Sequence, residues 1–335
     1  MKERIILFTI IFGLGVFLYI FQSYFNTVWG LAFLCLCMTI YAVFTNLAYT
    51  LKKRIMKKYP QVINEDYKPF VTVMIPAHNE ESVIASTVEN ILGMDYENFE
   101  IIVIDDRSTD NTASVIKDLE KKYDRVKALI RQQGAFPGKS AVLNDAFQIA
   151  RGEAILVFDA DATVDPDFLS KLVPEHEPKD VGAVQARKVI RNKNQNLLTR
   201  CQNNEYTMDT YFQAGRDSVK GAVELRGNGE LIKREALEDI NGWNNYTIVD
   251  DLDMSTRLHI KGWDVRFCID AIVYEEGIAY IRPLIRQRRR WLEGTIRRYL
   301  EYSGAALRSK KMSFRARFHM TEYISQFIMP MGLLM

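Results

Sequence analysis

Asp159 and Asp161 follow the apolar run Ile155–Phe158, separated by one residue. Residues two apart on an extended chain point to the same side. The two carboxylates therefore make an oxygen-rich pair of the kind a hard divalent cation prefers, one that keeps waters and shares phosphate oxygens with a second ligand. As solvated turn residues the same pair needs no cation, and Asp165 is then the cap of the next helix. Asp105 and Asp106 close another apolar run, Glu100–Ile104. Carboxylates there can accept hydrogen bonds from a nucleobase imide or a ribose. The cluster Ser108-Thr109-Asp110-Asn111 starts a helix, and capping by these later residues leaves the two aspartates available. At Asp250-Asp251-Leu252-Asp253, three acids in four residues exceed what a helix cap requires. A carboxylate facing the cation pair fits a general base that takes a proton from a hydroxyl. Its acidic neighbours raise its pKa by like-charge repulsion.

Two basic segments offer anion contacts. Gly134–Ser140 invites comparison with a phosphate-cradling P-loop, which needs four residues between Gly and Gly-Lys-Ser/Thr. Here three residues separate Gly134 from Gly138, and Pro137 removes a backbone donor. That disfavours an NTPase, yet Lys139 at a helix start can still meet a diphosphate. Ile281–Leu300 has apolar residues at helical spacing, with arginines on the other face. This describes a helix lying on a membrane surface. Gln287, Arg290 and Trp291 stand at i, i+3 and i+4 and share one side of it. Arg can hold a diphosphate and a Trp ring can stack on a pyranose. Interfacial anchoring accounts for most of the basic residues but not for a Gln-x-x-Arg-Trp cluster.

These residues must be brought together by the elements between Pro69 and about Asp270. Apolar, β-branched runs at Val71–Ile75, Glu100–Ile104, Val126–Ile130 and Ala154–Phe158 each precede a helix-period stretch, at Glu80–Leu92, Asn111–Lys122, Gly138–Ala150 and Pro166–Leu172. The alternation predicts an α/β domain with a parallel sheet covered on both faces. Ligands of such sheets sit beyond the carboxyl ends of the strands. The turns there are Pro76–Glu80, Asp105–Ser108, Gly134–Ser140 and Asp159–Asp161.

The chain has 335 residues, a formal net charge of +2 and 48% hydrophobic residues. That composition excludes a disordered chain, and the charge gives no general attraction to nucleic acid. Four scattered cysteines exclude a disulfide scaffold or a zinc site. From Ile5 to Leu51 there is no Asp, Glu, Lys or Arg. The run is too long for one crossing and breaks at Gln22–Thr27, which predicts two transmembrane helices, about Ile5–Phe21 and Val28–Tyr49. A cleaved signal peptide fits less well, because a second apolar span follows at once. Lys2 and Arg4 before the first span, and Lys52, Lys53, Arg54, Lys57 and Lys58 after the second, place both ends in the cytoplasm. Tyr323–Met335 is apolar and reads as the start of a further span in which the chain ends. The expected division is 1–51 membrane helices, 52–68 basic linker, 69–279 catalytic domain, 280–311 interfacial helices and 312–335 the further membrane segment.

With these pieces placed, the chain resembles the membrane-embedded family 2 glycosyltransferases, and among them the processive poly-N-acetylglucosamine, hyaluronan and cellulose synthases. The family's Asp-x-Asp matches Asp159 and Asp161, its Asp-Asp-x-Ser matches Asp105, Asp106 and Ser108, its Thr-Glu-Asp falls on Val249-Asp250-Asp251, and its Gln-x-x-Arg-Trp on Gln287, Arg290 and Trp291. Val249 and Asp250 depart from the family's Thr and Glu, and His78 stands where Tyr is common. The resemblance implies a GT-A, Rossmann-like nucleotide-sugar domain and an inverting transfer from a UDP-sugar, best matched by UDP-GlcNAc, to a growing β-linked polysaccharide at the cell membrane. Asp251 is then the base. Asp159 and Asp161 bind Mg2+ or Mn2+. Ala77, Glu80, Asp105, Asp106, Lys139, Asp159, Gln287 and Arg290 bind the nucleotide sugar, and Trp291 stacks under the acceptor. The partners implied are a glycan or glycolipid acceptor, the bilayer, and export or accessory subunits. A non-processive enzyme acting on a membrane lipid is the alternative. Intact Asp161 and Asp251 speak against an inactive nucleotide-sugar sensor.

Overall fold

A computed structural model describes residues 16, 27–59 and 64–320. Apart from Val16, the expected first span lies outside the described residues, as does Tyr323–Met335. The second expected span falls in a single helix, α1 (Thr27–Lys58). Among the described residues no helix is long and apolar enough to cross a membrane.

Four strands, β1 (Val71–Ala77), β2 (Phe99–Asp105), β3 (Val126–Ile130) and β4 (Ala154–Val157), alternate with helices α2 (Ile84–Leu92), α3 (Thr112–Lys122) and α4 (Lys139–Phe147). They pair in parallel in the order β3-β2-β1-β4. Their near-continuous apolar sequences are buried on both faces, as parallel strands require. One face packs on Ile84, Val88, Ile91 and Ile116, the other on Val142, Leu143 and Ala146.

The second half departs from the expected parallel sheet. After β5 (Thr163–Val164) and α5 (Phe168–His176) come β6 (Val181–Ile190), α6 (Leu197–Ser218), β7 (Glu230–Lys233), α7 (Arg234–Asp239), α8 (Asp250–Lys261), β8 (Asp264–Glu275) and α9 (Ile281–Arg308). β7 pairs antiparallel with both β4 and β6, and β5 antiparallel with β8, while β6 and β8 run parallel. The sheet is therefore mixed, in the order β3-β2-β1-β4-β7-β6-β8-β5. The reason is local. β7 enters from an irregular segment on the ligand side of β4, so it can pair with β4 only by running back against it.

Glu100 on β2 shows how a charge is held in this core. It is 2% exposed. It accepts hydrogen bonds from Thr72 Oγ1 at 2.9 Å, from the Arg151 backbone N–H at 2.9 Å and from the Arg151 guanidinium at 2.9 and 2.7 Å, and it pairs with Lys127 at 2.9 Å. Burial raises its pKa, but the bonds from Arg151, Lys127 and Thr72 outweigh that and hold it at about 2. A depressed folded-state pKa adds stability that is present above the unfolded value of about 4.3 and is lost as pH falls through the folded one. Glu100→Gln is expected to cost about 1–3 kcal/mol at neutral pH. It should also flatten the loss of stability between about pH 4.5 and pH 2. Chemical unfolding followed by circular dichroism across that range checks both; an unchanged slope in the variant contradicts the assignment.

Candidate active site

Strand register places the acidic turns side by side. Ala77 pairs with Asp105, and Met74 with Val157, so the turns after β2, β1 and β4 lie in that spatial order along one edge. Asp105 is 2% exposed. Its Oδ2 accepts the Ser108 N–H at 3.3 Å, while its Oδ1 has no hydrogen-bond partner among the described residues. A buried orphan acceptor facing a ligand edge suits an N–H or O–H donor from a bound molecule. Asp106, expected at the nucleotide, is held by two arginines. Arg107 Nε donates to its Oδ1 at 2.8 Å and Arg131 Nη1 at 2.6 Å. Burial raises its pKa, but these guanidiniums pull it below the usual carboxylate range. Arg131 also reaches Asp145 and the Phe136 carbonyl, so Asp106 serves to fix the loop before α4.

At the end of β4, Lys139 Nζ donates to Asp159 Oδ1 at 2.6 Å and to the Gly227 carbonyl at 2.8 Å. Gly138 just before it has φ +110°, a left-handed value that suits glycine. Burial lowers the Lys139 pKa, but Asp159 and Asp250 raise it further, so the ammonium stays charged. Asp161 is half-buried and accepts the Glu276 N–H at 3.5 Å. Burial first, then Asp159 and Glu275, raise its pKa. Glu80 is raised too, by burial and then by Asp161, Asp110 and Asp159. Ala77, by contrast, is buried and contributes its carbonyl to the Asp106 N–H at 2.8 Å. Among the described residues no group of three or more His, Cys, Asp or Glu is placed to hold a metal ion by itself. The mutual repulsion of Asp159, Asp161, Glu80 and Glu275 nonetheless fits a divalent cation whose remaining ligands are waters and phosphate oxygens. Asp161 and Asp159 would hold it.

The expected base lies at the N-terminus of α8. Asp251 Oδ1 accepts the Leu252 N–H at 2.8 Å. Burial, then the Asp250 carboxylate, raises the Asp251 pKa. Facing it is a turn that sequence reasoning missed, Arg226-Gly227-Asn228-Gly229. Gly227 and Gly229 have φ of +80° and +71°. A Cβ on Gly227 would stand 3.2 Å from Asp251 Oδ2. The Gly227 N–H donates to Glu230 Oε1. Burial and the nearby Asp251 raise the Glu230 pKa. Asn228 Oδ1 accepts the Asp159 N–H at 3.2 Å, so the turn joins the cation pair to the base. The available signal was two glycines two apart beside an acid, just ahead of the short apolar run Leu231-Ile232.

The Gln287/Arg290/Trp291 cluster sits on α9. Gln287 and Trp291 are half-buried, on the stripe that continues to Gly294, Thr295 and Arg298 against the domain; Arg290 is exposed. A Cβ at Gly294 would meet Val249 Cγ1 at 2.6 Å, so α9 packs directly on the residue before Asp250. The guanidinium of Arg288 lies 4.3 Å from the Trp291 ring centroid and donates to Glu205 at 2.6 Å. One face of the indole is thus occupied by Arg288.

Comparison with known proteins gives this geometry a context. Residues 69–294 match the family described as "Glycosyltransferase like family 2". The chain is 42% identical over 265 residues to a beta-monoglucosyldiacylglycerol synthase of Nostoc sp., covering 78% of this chain and 56% of the relative. It is 30% identical over 260 residues to the poly-beta-1,6-N-acetyl-D-glucosamine synthase of Staphylococcus aureus, covering 76% and 60%. The chain therefore spans little more than half the length of these relatives. Among solved structures, a mannosyltransferase of Pyrobaculum calidifontis, in complex with GDP-Man and Mn2+, superposes with a TM-score of 0.67 at 22% identity, covering 91% of this chain and 85% of that one. That likeness shows a shared GT-A-type fold.

Proposed function

The chain belongs to the family 2 glycosyltransferases, and on that premise we propose that it transfers a sugar from a UDP-sugar to the hydroxyl of a membrane lipid. The observation that carries the lipid acceptor is the 42% identity to a beta-monoglucosyldiacylglycerol synthase, against 30% to a polysaccharide synthase. The polymer reading that the motifs first suggested therefore becomes the second one, supported by the latter relative. The surface supports a seat on the bilayer. Leu36, Ile40, Val43, Phe44, Leu47 and Leu51 form an exposed apolar stripe along α1. Ile281, Ile285 and Leu292 on α9 are exposed as well. α1 is held to the domain by Lys52–Asp217 at 2.6 Å and by Thr45, which fills the space beside Gly215. The basic residues that follow the stripe, Lys52, Lys53, Arg54, Lys57 and Lys58, suit the anionic headgroups of a cytoplasmic leaflet.

In this reading the nucleotide lies across the ends of β1 and β2, where Asp105 offers its orphan acceptor. Lys139 and the exposed Arg290 meet the diphosphate. Asp161 and Asp159 would hold a divalent cation, which would supply charge neutralisation for the leaving diphosphate. Asp251 accepts the proton of the acceptor hydroxyl as that oxygen bonds to the anomeric carbon. The bond from that carbon to the diphosphate oxygen breaks, its electron pair leaves with UDP, and the configuration inverts. Gly227, with no side chain, keeps clear the place where a Cβ would stand 3.2 Å from Asp251 Oδ2.

The full chain, reconstituted in phosphatidylglycerol vesicles with diacylglycerol, should convert UDP-glucose or UDP-N-acetylglucosamine to UDP and a lipid bearing one sugar. It should also float with the vesicles on a density gradient. A long glycan with no glycolipid establishes the polymer reading instead. Absence of any sugar transfer overturns both.

A further inference from the structure

We propose that Glu224 and Arg298 form a positioning pair that locks α9 onto the Gly227 turn and so sets the placement of the catalytic base against the acceptor. The inference rests on the reading of Asp251 as the base.

Glu224 lies on the irregular segment between α6 and β7 and is 5% exposed. A carboxylate taken out of water needs paired charge, and three guanidiniums supply it. Arg298 Nη1 of α9, itself 3% exposed, donates to Oε1 at 2.8 Å. Arg226 Nη1 reaches Oε2 at 3.1 Å and Arg216 Nη1 stands 3.6 Å away. Burial raises the Glu224 pKa, but Arg298, Arg226 and Arg216 outweigh it and hold the group at about 2, so it stays ionised. Its backbone is fixed as well: the Glu224 N–H donates to Gln213 Oε1 at 3.2 Å. Two residues on, the Arg226 N–H donates to Gln185 Oε1 at 2.6 Å, and its guanidinium grips Asp209 at 3.0 and 2.6 Å. The next residue is Gly227, whose α-carbon faces Asp251 Oδ2.

The same helix touches the base from the other side. Gly294 of α9 packs on Val249, which precedes Asp250. Tyr302 donates to Asp253 Oδ1 at 2.7 Å. α9 therefore holds both walls of the base, the start of α8 through Gly294 and Tyr302 and the Gly227 turn through Arg298. Stability alone does not call for this device, because a buried ion cluster is often no more stable than apolar residues of the same volume. What the charged contact between Arg298 and Glu224 adds is a fixed tie between α9 and the segment leading into the Gly227 turn, which a lysine ammonium can also supply.

The test uses the full chain with Arg298→Met, Arg298→Lys and Asp251→Asn in parallel. Arg298→Met leaves Glu224 facing Arg226 and Arg216, which favours folding. Its kcat, read as UDP release from whichever UDP-sugar the wild type turns over, should fall about 10–100-fold, the effect of a misplacement near 1 Å. UDP affinity should stay within about threefold, as for an interaction used only beyond ground-state binding. Arg298→Lys should recover most of the rate. Hydrogen exchange of the 226–230 backbone should quicken in Arg298→Met and return in Arg298→Lys. Unchanged exchange and unchanged kcat in Arg298→Met overturn the proposal. So does a parallel loss of rate and UDP binding that Lys does not restore. If the exchange responds as expected while Asp251→Asn keeps full transfer activity, the coupling of α9 to the turn stands and the assignment of the base falls.

Discussion

Replacing Asp251 by Asn is expected to lower sugar transfer about 10²–10⁴-fold, the usual cost of losing a general base, with UDP affinity nearly unchanged. Asn keeps the shape of the side chain and an oxygen for the Leu252 N–H, which Asp251 Oδ1 now accepts at 2.8 Å. The start of α8 should therefore survive. What the amide loses is the capacity to take a proton. The groups facing Asp251 are Asp250 from its own helix, Glu230 from β7, Lys139 from α4 and Arg226 from the glycine turn. Burial and Asp250 raise its pKa, whereas the Leu252 N–H, Arg226 and Lys139 lower it, and the net direction is upward. A base works deprotonated, so kcat should fall as pH drops through the raised value. The acid limb should lie above the ordinary Asp value of about 3.9 and vanish in Asp251→Asn. If UDP binding fails together with the rate, Asp251 is a structural cap of α8.

The strand ends that build the site were legible because chemistry and fold coincide there. Ile155–Phe158 and Glu100–Ile104 are apolar runs stopped by paired acids, and such a boundary marks both the end of a buried strand and an anion-rich edge. The second half of the sheet was not legible. Val181–Ile190 contains Gln, Arg and Lys, and Asp264–Glu275 mixes charged and apolar residues without alternation. Several of those polar groups do site work in three dimensions. Gln185 holds the Arg226 backbone, and Lys188 pairs with Glu275 at 2.8 Å. Pairing was the other blind spot. Asp105 and Asp106 are adjacent and of one type, yet Asp105 keeps an orphan acceptor while Arg107 and Arg131 occupy Asp106. Nothing in a run of letters places Arg131 beside Asp106, because the register of β3 on β2 decides it. The Gly227 turn was hidden for a related reason. Its left-handed conformation matters only because Asp251, distant in sequence, lies against it.

Asp161→Ala should reduce transfer about 10³-fold, the scale of removing a preorganised stabiliser of developing charge. It should also make UDP affinity insensitive to added Mn2+ or Mg2+. The two acids of the pair differ in what already neutralises them. Asp159 has the Lys139 ammonium at 2.6 Å. Asp161 is raised by burial, by Asp159 and by Glu275, while its polar contact is the Glu276 N–H at 3.5 Å. Glu275 is itself matched by Lys188. The excess negative charge therefore concentrates on Asp161, and a cation bound there returns more energy than one at the already paired Asp159. On this reasoning Asp159→Ala should lose less of the metal response of UDP binding than Asp161→Ala, although both lose rate. Titrating UDP into each variant with and without Mn2+, and then with a chelator, separates the two. Equal metal response in Asp161→Ala and wild type would place the cation elsewhere and remove the reason given for the paired acids. A metal-independent wild type that still transfers sugar would leave neutralisation of the leaving diphosphate to Lys139 and Arg290.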